Sequence, residues 1–175
     1  MEKKVIKLLI LDVDGVLTDG KKYYGLDGMP FAKTFCDKDF TAIKRVRAGG
    51  TYVCFLSGDN KINENVANNR NIPFYYSRGK DKVEFIKVFM EKYNVTPEEI
   101  CYIGDDLFDI TIMKSVKYAY CTNDAPEKVK NECVVLNVAG GQNVVCYLAD
   151  MLIKNKLIND STMEEIEELD KNENF

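Results

Sequence analysis

Residues 8 to 20 read Leu-Leu-Ile-Leu-Asp-Val-Asp-Gly-Val-Leu-Thr-Asp-Gly, and this stretch decides the fold. An apolar run of strand character leads into two carboxylates, Asp12 and Asp14, and Gly15 then allows the backbone to turn sharply. In an extended chain Asp12 and Asp14 face the same side, while Val13 faces the other. Carboxylates beside an apolar strand need a metal ion or another charge to offset their desolvation. A strand that ends in a polar turn is the simpler interpretation, so a functional site requires a second acidic cluster.

Such a cluster lies far along the chain, where residues 100 to 109 read Ile-Cys-Tyr-Ile-Gly-Asp-Asp-Leu-Phe-Asp. A short apolar strand again ends in a glycine and paired acids, Asp105 and Asp106, with Asp109 following. A helix cap accounts for one of these acids and leaves the other two unexplained. Two acidic strand ends are more simply two sides of one Mg²⁺ site, because Mg²⁺ takes hard oxygen ligands from a few carboxylates and a substrate phosphate.

Strand-like and helical segments alternate along the chain, which predicts a parallel sheet with helices on both faces. The predicted strands are residues 5–13, 52–56, 74–76, 100–103, 118–121 and 134–136. The predicted helices are residues 38–48, 60–69, 80–93, 106–115 and 125–131, with a last helix from Gly140-Gly141 to about residue 154. We expect residues 1–160 to form a single domain.

Residues 18–35 interrupt this alternation and predict a β-hairpin flap that turns at Leu26-Asp27-Gly28. The hairpin directly follows the first acidic motif, so it can overhang a bound metal ion. A two-stranded hairpin is marginally stable in water. Its aromatic side chains therefore need either a partner surface or the chain's own core: Tyr23, Tyr24, Phe31 and Phe35.

Residues 161–175 form an acidic C-terminal tail. The spacing of Ser161 and Glu164 predicts a capping box, and Ile166 and Leu169 make the segment weakly amphipathic. We expect a solvated and partly frayed terminal helix.

Composition excludes several classes of function. The chain of 175 residues carries a net charge of −4, which gives no sign of a nucleic-acid partner, and it has no histidine for catalysis or metal ligation. Its six cysteines form no Cys-x-x-Cys pair and predict free thiols in a reducing compartment. No signal peptide and no apolar run of ~20 residues is present, so we expect a soluble cytoplasmic protein without a membrane partner.

The motif Asp-x-Asp-Gly-Val-Leu-Thr-Asp-Gly, followed by Gly-Asp-Asp-Leu-x-Asp, resembles the haloacid dehalogenase superfamily of phosphatases. More narrowly, it is similar to the small capless branch that contains the 3-deoxy-D-manno-octulosonate 8-phosphate and nonulosonate 9-phosphate phosphatases. The resemblance covers about residues 5–155. It implies a three-layer α/β/α sandwich with a central, mostly parallel Rossmann-like sheet, a hairpin in place of a cap domain, and a homotetramer.

The resemblance also implies roles for the motif residues. Asp12 is expected to be the nucleophile that forms an aspartyl-phosphate, and Asp14 the acid that protonates the leaving group and then activates water. Mg²⁺ is expected on the Asp12 carboxylate, the Asp14 carbonyl oxygen and Asp105. The phosphoryl group is expected to bind Ser57 and the backbone at Gly58. The resemblance thus implies a Mg²⁺-dependent phosphoric monoester hydrolase.

A lysine that neutralises the phosphorylated aspartate completes the family pattern. Lys82 matches best in spacing, and Lys80, two residues earlier, is the alternative. Asp106 and Asp109 are expected to orient the ligands and Lys82.

The substrate pocket departs from the octulosonate phosphatase pattern. Lys38 and Asp39 keep a basic–acidic pair that lines the sugar pocket in that family, but Asp59 stands where those enzymes place an arginine. A second arginine is replaced at Gln142. Arginine commonly holds a sugar carboxylate, and Lys38 or Lys44 could supply the missing positive charge.

The sequence therefore leaves the sugar phosphate open between a nonulosonate 9-phosphate, an octulosonate 8-phosphate and a neutral sugar phosphate. A phosphomutase is disfavoured, because no insertion is long enough to be a cap that excludes water. A catalytically idle, phosphate- or metal-sensing oligomeric module is the alternative from another class.

Overall fold

The computed structural model describes residues 5–174, and a six-stranded parallel sheet lies at its centre. The strands are β1 (Leu8–Leu11), β2 (Tyr23–Tyr24), β3 (Pro30–Ala32), β4 (Tyr52–Ser57), β5 (Phe74–Tyr76), β6 (Ile100–Gly104), β7 (Tyr118–Cys121) and β8 (Val134–Val135). The central sheet has the order β5-β4-β1-β6-β7-β8, and β2 pairs with β3 in a separate antiparallel hairpin. Strand β1 therefore lies between β4 and β6, and it pairs in parallel with both.

Residues 5–174 also contain seven helices and three short 3₁₀ turns. The helices are α1 (Asp37–Ala48), α2 (Ile62–Asn69), α3 (Phe85–Tyr93), α4 (Ile110–Met113), α5 (Glu127–Lys130), α6 (Val144–Lys154) and α7 (Met163–Asp170). The 3₁₀ turns are Lys82–Glu84, Pro97–Glu99 and Leu107–Asp109.

Two hydrophobic layers cover the two faces of the sheet. All four residues of β1 are buried, as a strand covered on both faces requires. Leu9 and Leu11 pack with residues of α1 and α6, whereas Leu8 and Ile10 pack with residues of α3. This alternation gives three layers, α/β/α, and confirms the predicted Rossmann-like fold with its parallel sheet.

Two helices predicted as continuous segments begin in 3₁₀ turns. The helix expected from residue 80 starts only after Asp81, whose side chain accepts a hydrogen bond from Val83 N at 3.1 Å. Glu84 accepts one from Asp81 N at 3.0 Å and completes a capping box. The helix expected from residue 106 likewise begins as a 3₁₀ turn capped by Asp106.

The flap is the predicted hairpin, with its turn closed by Gly28 N donating to Gly25 O at 3.0 Å. Gly28 has a φ of +74°, which favours glycine. Phe35 lies 5.8 Å from the Phe40 ring and joins the core. Folding back on the chain's own core is wrong for the other three aromatic side chains, which are exposed: Tyr23, Tyr24 and Phe31.

The acidic tail packs on the domain, so the expectation of a solvated, frayed helix is wrong. Ile166 of α7 is buried, and α7 lies against α1. The capping box is formed by Thr162 and Glu165, one residue later than the predicted pair, with Glu165 N donating to Thr162 Oγ1 at 3.3 Å.

The six cysteines are free thiols, as the sequence predicts. Within residues 5–174, the helices are too short or too polar to cross a bilayer.

Candidate active site

Four neighbouring strands end at one edge of the sheet and form the floor of a pocket. Because β5, β4, β1 and β6 are adjacent and parallel, their carboxyl ends meet there, where open α/β sheets usually bind ligands. The pocket has a volume of about 870 Å³. It brings together the predicted residues that follow these strands: Asp12, Asp14, Ser57, Gly58, Asp59, Lys82, Asp105, Asp106 and Asp109.

A buried lysine connects the two acidic motifs. Lys82 Nζ lies 3.1 Å from Asp12 Oδ2 and 2.6 Å from Asp109 Oδ1. Tyr102 donates to the same Asp109 oxygen at 2.5 Å. Burial opposes the charged form of Lys82, but the two carboxylates outweigh burial and raise its pKa. Lys80 lines the pocket with an exposed side chain, so Lys82 is the lysine that contacts Asp12.

Asp109 positions the second acidic loop. Its Oδ2 accepts hydrogen bonds from the backbone amides of Asp105 and Asp106, each at 2.9 Å. Asp106 Oδ1 accepts from Leu107 N at 2.7 Å and so acts as a cap. With Oδ1 occupied by Lys82 and Tyr102, Asp109 holds the loop in place and leaves Asp105 facing Asp12.

Asp105 carries the clearest sign of a cation site. Its Oδ1 is buried and has no hydrogen-bond partner among the described residues. Carboxylate oxygens of Asp12, Asp105 and Asp109 lie within 4.8 Å of one another. Gly15 leaves the room for this approach, since a Cβ built there would lie 1.9 Å from Asp105 Oδ2. Hard oxygen donors crowded in this way fit a divalent cation.

The same crowding raises the pKa values of Asp12 and Asp105. Burial raises the pKa of Asp12 to about 7, although Lys82 opposes the shift. Burial and the neighbouring charges of Asp12 and Asp109 raise the pKa of Asp105 to about 8. A divalent cation would compensate these carboxylates and favour their charged forms.

Two residues that the sequence did not indicate hold Asp14. Lys33 Nζ lies 2.7 Å from Asp14 Oδ1, and Asn63 Nδ2 donates to Asp14 Oδ2 at 3.0 Å. Asn63 Nδ2 also lies 3.0 Å from Ser57 Oγ, so it links the loop after β1 to the end of β4. The available sequence signal was weak: the hairpin that carries Lys33 directly follows the Asp12 motif.

Asp59 lies at the pocket wall and binds two lysines of the flap. Its Oδ2 is 2.8 Å from Lys22 Nζ and 2.8 Å from Lys33 Nζ. Burial opposes its charged form, but hydrogen bonds from both lysines outweigh burial and lower the pKa of Asp59. Asp59 therefore joins both strands of the hairpin to the β4 end of the pocket.

Three predicted pocket residues do not line the pocket. Lys44 of α1 is buried, and it pairs with Asp170 and with Glu173 at 3.3 Å. Asp39 is buried beneath the start of α6 and accepts from Cys146 N at 3.0 Å. Lys38 is exposed on α1. The prediction was wrong for Lys44 and Asp39 because Lys44 pairs with acidic residues of the packed tail and Asp39 accepts a hydrogen bond from the backbone of α6.

Comparison with known proteins places this geometry in a family. Residues 56–139 match the family model described as haloacid dehalogenase-like hydrolase. The 3-deoxy-D-manno-octulosonate 8-phosphate phosphatase of Escherichia coli strain K12 is 33% identical over 85% of this chain and 79% of its own length. The Haemophilus influenzae protein of the same name is 32% identical over 88% of this chain and 87% of its own.

The fold agrees with the sequence match. The cobalt-bound structure of the Haemophilus influenzae phosphatase superimposes with a TM-score of 0.82 at 32% identity, covering 87% of this chain and 90% of that one. The chain thus belongs to the haloacid dehalogenase-like hydrolases, within the branch of the 3-deoxy-D-manno-octulosonate 8-phosphate phosphatases, and is a phosphoric monoester hydrolase.

Proposed function

We propose that the protein hydrolyses a keto-acid sugar phosphate through an aspartyl-phosphate at Asp12, with Mg²⁺ as its cofactor. The observation that carries the proposal is the Asp12 carboxylate at the pocket floor, with Lys82 at 3.1 Å on one side and the unpartnered Asp105 oxygen on the other. A nucleophile, a fixed positive charge and a cation site thus surround the place where a phosphoryl group must react.

The chemistry proceeds in two displacements at phosphorus. Asp12 attacks, the bond from phosphorus to the sugar oxygen breaks, and Asp14 gives its proton to the departing alkoxide. Water then attacks phosphorus, the bond from phosphorus to the Asp12 oxygen breaks, and Asp14 takes the proton from the water, so that the Asp12 carboxylate and inorganic phosphate are released. Ser57 and the backbone at Gly58 hold the phosphoryl oxygens, and Lys82 balances their charge.

Asp12, Asp105 and the backbone carbonyl of Asp14 are the groups that would hold Mg²⁺. When bound, Mg²⁺ neutralises charge on the phosphoryl oxygens and orients the phosphate for in-line attack. Oxygen ligands with room for water suit Mg²⁺, which retains several water ligands. Both oxygens of Asp109 already accept hydrogen bonds, so Asp109 supports the metal site by holding its neighbours in place.

Arg78 supplies the positive charge that Lys38 and Lys44 do not bring to the pocket. It lines the pocket in the loop between β5 and the Lys82 turn, with an exposed side chain. Within residues 5–174 it makes no ion pair. Arginine binds a carboxylate through two parallel hydrogen bonds, so Arg78 favours a substrate that carries an acid group away from its phosphate. Octulosonate 8-phosphate and a nonulosonate 9-phosphate both do.

Phosphate release from a matched panel tests this proposal. The panel contains octulosonate 8-phosphate, a nonulosonate 9-phosphate and a neutral pentose 5-phosphate, each with and without Mg²⁺. We expect Mg²⁺-dependent release and a preference of ~100-fold for one acid, equivalent to about 2.7 kcal/mol. Asp12→Asn should abolish turnover. Uniform, slow activity across the panel would keep the phosphatase chemistry but place the substrate outside the keto-acid sugars. Absence of phosphate release would favour a sensing module.

Two substitutions of Arg78, each assayed on an acid and on a neutral substrate, test its proposed role. Arg78→Met should raise KM for the preferred acid about tenfold, while the kinetics on the neutral pentose phosphate change less than about twofold. Arg78→Lys keeps the charge but loses the two parallel bonds, and we expect an intermediate KM. Equal losses on acid and neutral substrates would remove Arg78 from carboxylate binding.

We also propose that the chain acts as a cytoplasmic homotetramer. The exposed aromatic face of the flap, Tyr23, Tyr24 and Phe31, supports assembly because such a face is stabilised by a partner. The free thiols support a reducing compartment.

A further inference from the structure

Lys33 is a flap residue whose ammonium group is completely enclosed. It directly follows β3, the returning strand of the hairpin, and its side chain has 0% exposure. Most lysines keep their ammonium group in water, because removing it from water is costly. An enclosed lysine that belongs to a marginally stable type of element, a two-stranded hairpin, therefore needs a specific set of partners.

Those partners are the proposed acid of the reaction and two residues of the β4–α2 segment. Lys33 Nζ lies 2.7 and 3.0 Å from the two Asp14 oxygens. It also lies 2.8 Å from Asp59 Oδ2 and 2.8 Å from Asn63 Oδ1. An ammonium group has three donors, so these three residues use its whole capacity.

Asn63 closes this set of contacts. Its amide nitrogen lies 3.0 Å from Asp14 Oδ2 and 3.0 Å from Ser57 Oγ, while its oxygen accepts from Lys33. The Asp14 carboxylate is thereby held by the flap and by α2 at once, and the same amide reaches the serine expected to bind phosphate.

We propose that Lys33 is a positioning residue through which the flap sets the orientation of Asp14 for proton transfer to the leaving group. The inference rests on the proposed function, because it assigns a cause to the efficiency of Asp14. An acid on a loop delivers its proton efficiently only when its side chain is restricted to the productive orientation.

A purely structural role for Lys33 is the competing explanation. Its ammonium group balances Asp14 and Asp59, and removal of one partner from a buried ion pair is destabilising. This loss of stability would slow the reaction of every substrate to the same extent. A positioning role predicts a loss that depends on how much the leaving group needs a proton.

Two leaving groups separate these explanations. A sugar alkoxide is strongly basic and needs a proton as its bond to phosphorus breaks, whereas p-nitrophenolate is a stable anion that leaves without one. The release of each leaving group in the first turnover reports only the step that phosphorylates Asp12. The informative quantity is the ratio of the first-turnover rate on the preferred sugar phosphate to that on p-nitrophenyl phosphate.

We expect Lys33→Met to lower this ratio about 100-fold, since general acid catalysis contributes about 10²- to 10⁴-fold. Asp14→Asn should lower the ratio to a similar extent and serves as the benchmark. Lys33→Arg should recover part of the ratio. Lys22→Met is the matched control, because Lys22 also binds Asp59 at 2.8 Å but has no hydrogen bond to Asp14, and it should keep the wild-type ratio.

An unchanged ratio in Lys33→Met, with both rates reduced together or neither reduced, would overturn the proposal. If that variant does not fold, Lys33→Gln provides the same comparison with a neutral donor at the same place. Failure of the proposed function is distinguishable, since the wild-type protein would then release neither leaving group.

Discussion

The ammonium group of Lys82 lies 2.6 Å from Oδ1 of Asp109, and both side chains are buried. Lys82 comes from the turn before α3, and Asp109 from the loop after β6. The same ammonium group contacts Asp12 at 3.1 Å. One lysine thereby sets the distance between the two acidic strand ends and supplies positive charge where a phosphoryl group would bind.

Loss of this lysine should impair the reaction much more than loss of its neighbour. We expect Lys82→Met to lower kcat by about 100-fold or more, in the range found when one group that stabilises transition-state charge is removed. Lys80→Met is the matched control, because Lys80 is exposed and makes no ion pair among the described residues, and its kcat should fall less than about threefold. Equal effects of the two substitutions in steady-state assays would contradict the assignment.

The packed tail should contribute stability and leave the chemistry intact. Ile166→Ala removes a buried side chain from the contact between α7 and α1, and we expect a loss of roughly 2 kcal/mol in the free energy of unfolding. Urea unfolding measures this loss, and kcat at a temperature well below the transition should stay within about twofold. Leu169→Ala, at a partly exposed position, is the comparison and should cost less. Equal unfolding curves for wild type and Ile166→Ala would show that α7 does not pack in solution.

The buried carboxyl group of Asp39 should make the free energy of unfolding fall as the pH rises. An ordinary ion-paired acid has the opposite effect. Burial raises its pKa from 3.8 to about 6, against the hydrogen bonds from the amides of α6. The folded protein therefore binds a proton that the unfolded chain has released, so this contribution is complete below the unfolded pKa and is lost as the pH rises through about 6. In Asp39→Asn this contribution is absent.

Urea unfolding from about pH 4 to about pH 7 tests the sign. The stability of wild type relative to Asp39→Asn should fall across this interval, with most of the change below about pH 6. Asp37→Asn is the control, since its exposed carboxylate lies two residues earlier on α1. Parallel pH curves for wild type and Asp39→Asn would refute the raised pKa.

The flap should be an assembly surface. Deleting residues 24–29 removes the exposed tip, and we expect the sedimentation mass to fall from that of four chains to that of one. Phe31→Ser should weaken the tetramer in the same direction, because Phe31 is an exposed apolar side chain on β3. Val88→Ser, at an exposed apolar position of α3, is the matched control and should leave the mass unchanged. An unaltered mass after the deletion would move the interface to another surface.

The sheet and its functional edge were predictable because parallel strands end on one side. The apolar runs before Asp12, Ser57 and Asp105 identified β1, β4 and β6, and adjacency in the sheet then brought those three residues together. The apolar strand pattern and the direction of the chain are sufficient for this prediction.

The remaining features depend on packing that has no local sequence signal. The choice between Lys80 and Lys82 required the capping box at Asp81, which fixes where the turn begins. Lys33 reaches Asp14 only because the hairpin folds back over the acidic motif. Lys44 was misassigned because the tail, which looked too polar to pack, supplies its acidic partners.

The most direct test is to trap the phosphorylated enzyme. Borohydride reduces an acyl phosphate to an alcohol, so treatment during turnover with the preferred sugar phosphate and Mg²⁺ should convert Asp12 to homoserine, which peptide mass spectrometry identifies. We expect homoserine at position 12 of the wild-type protein, and none in the Asp12→Asn variant. Sustained phosphate release with an unmodified Asp12, or with homoserine at another position, would contradict it.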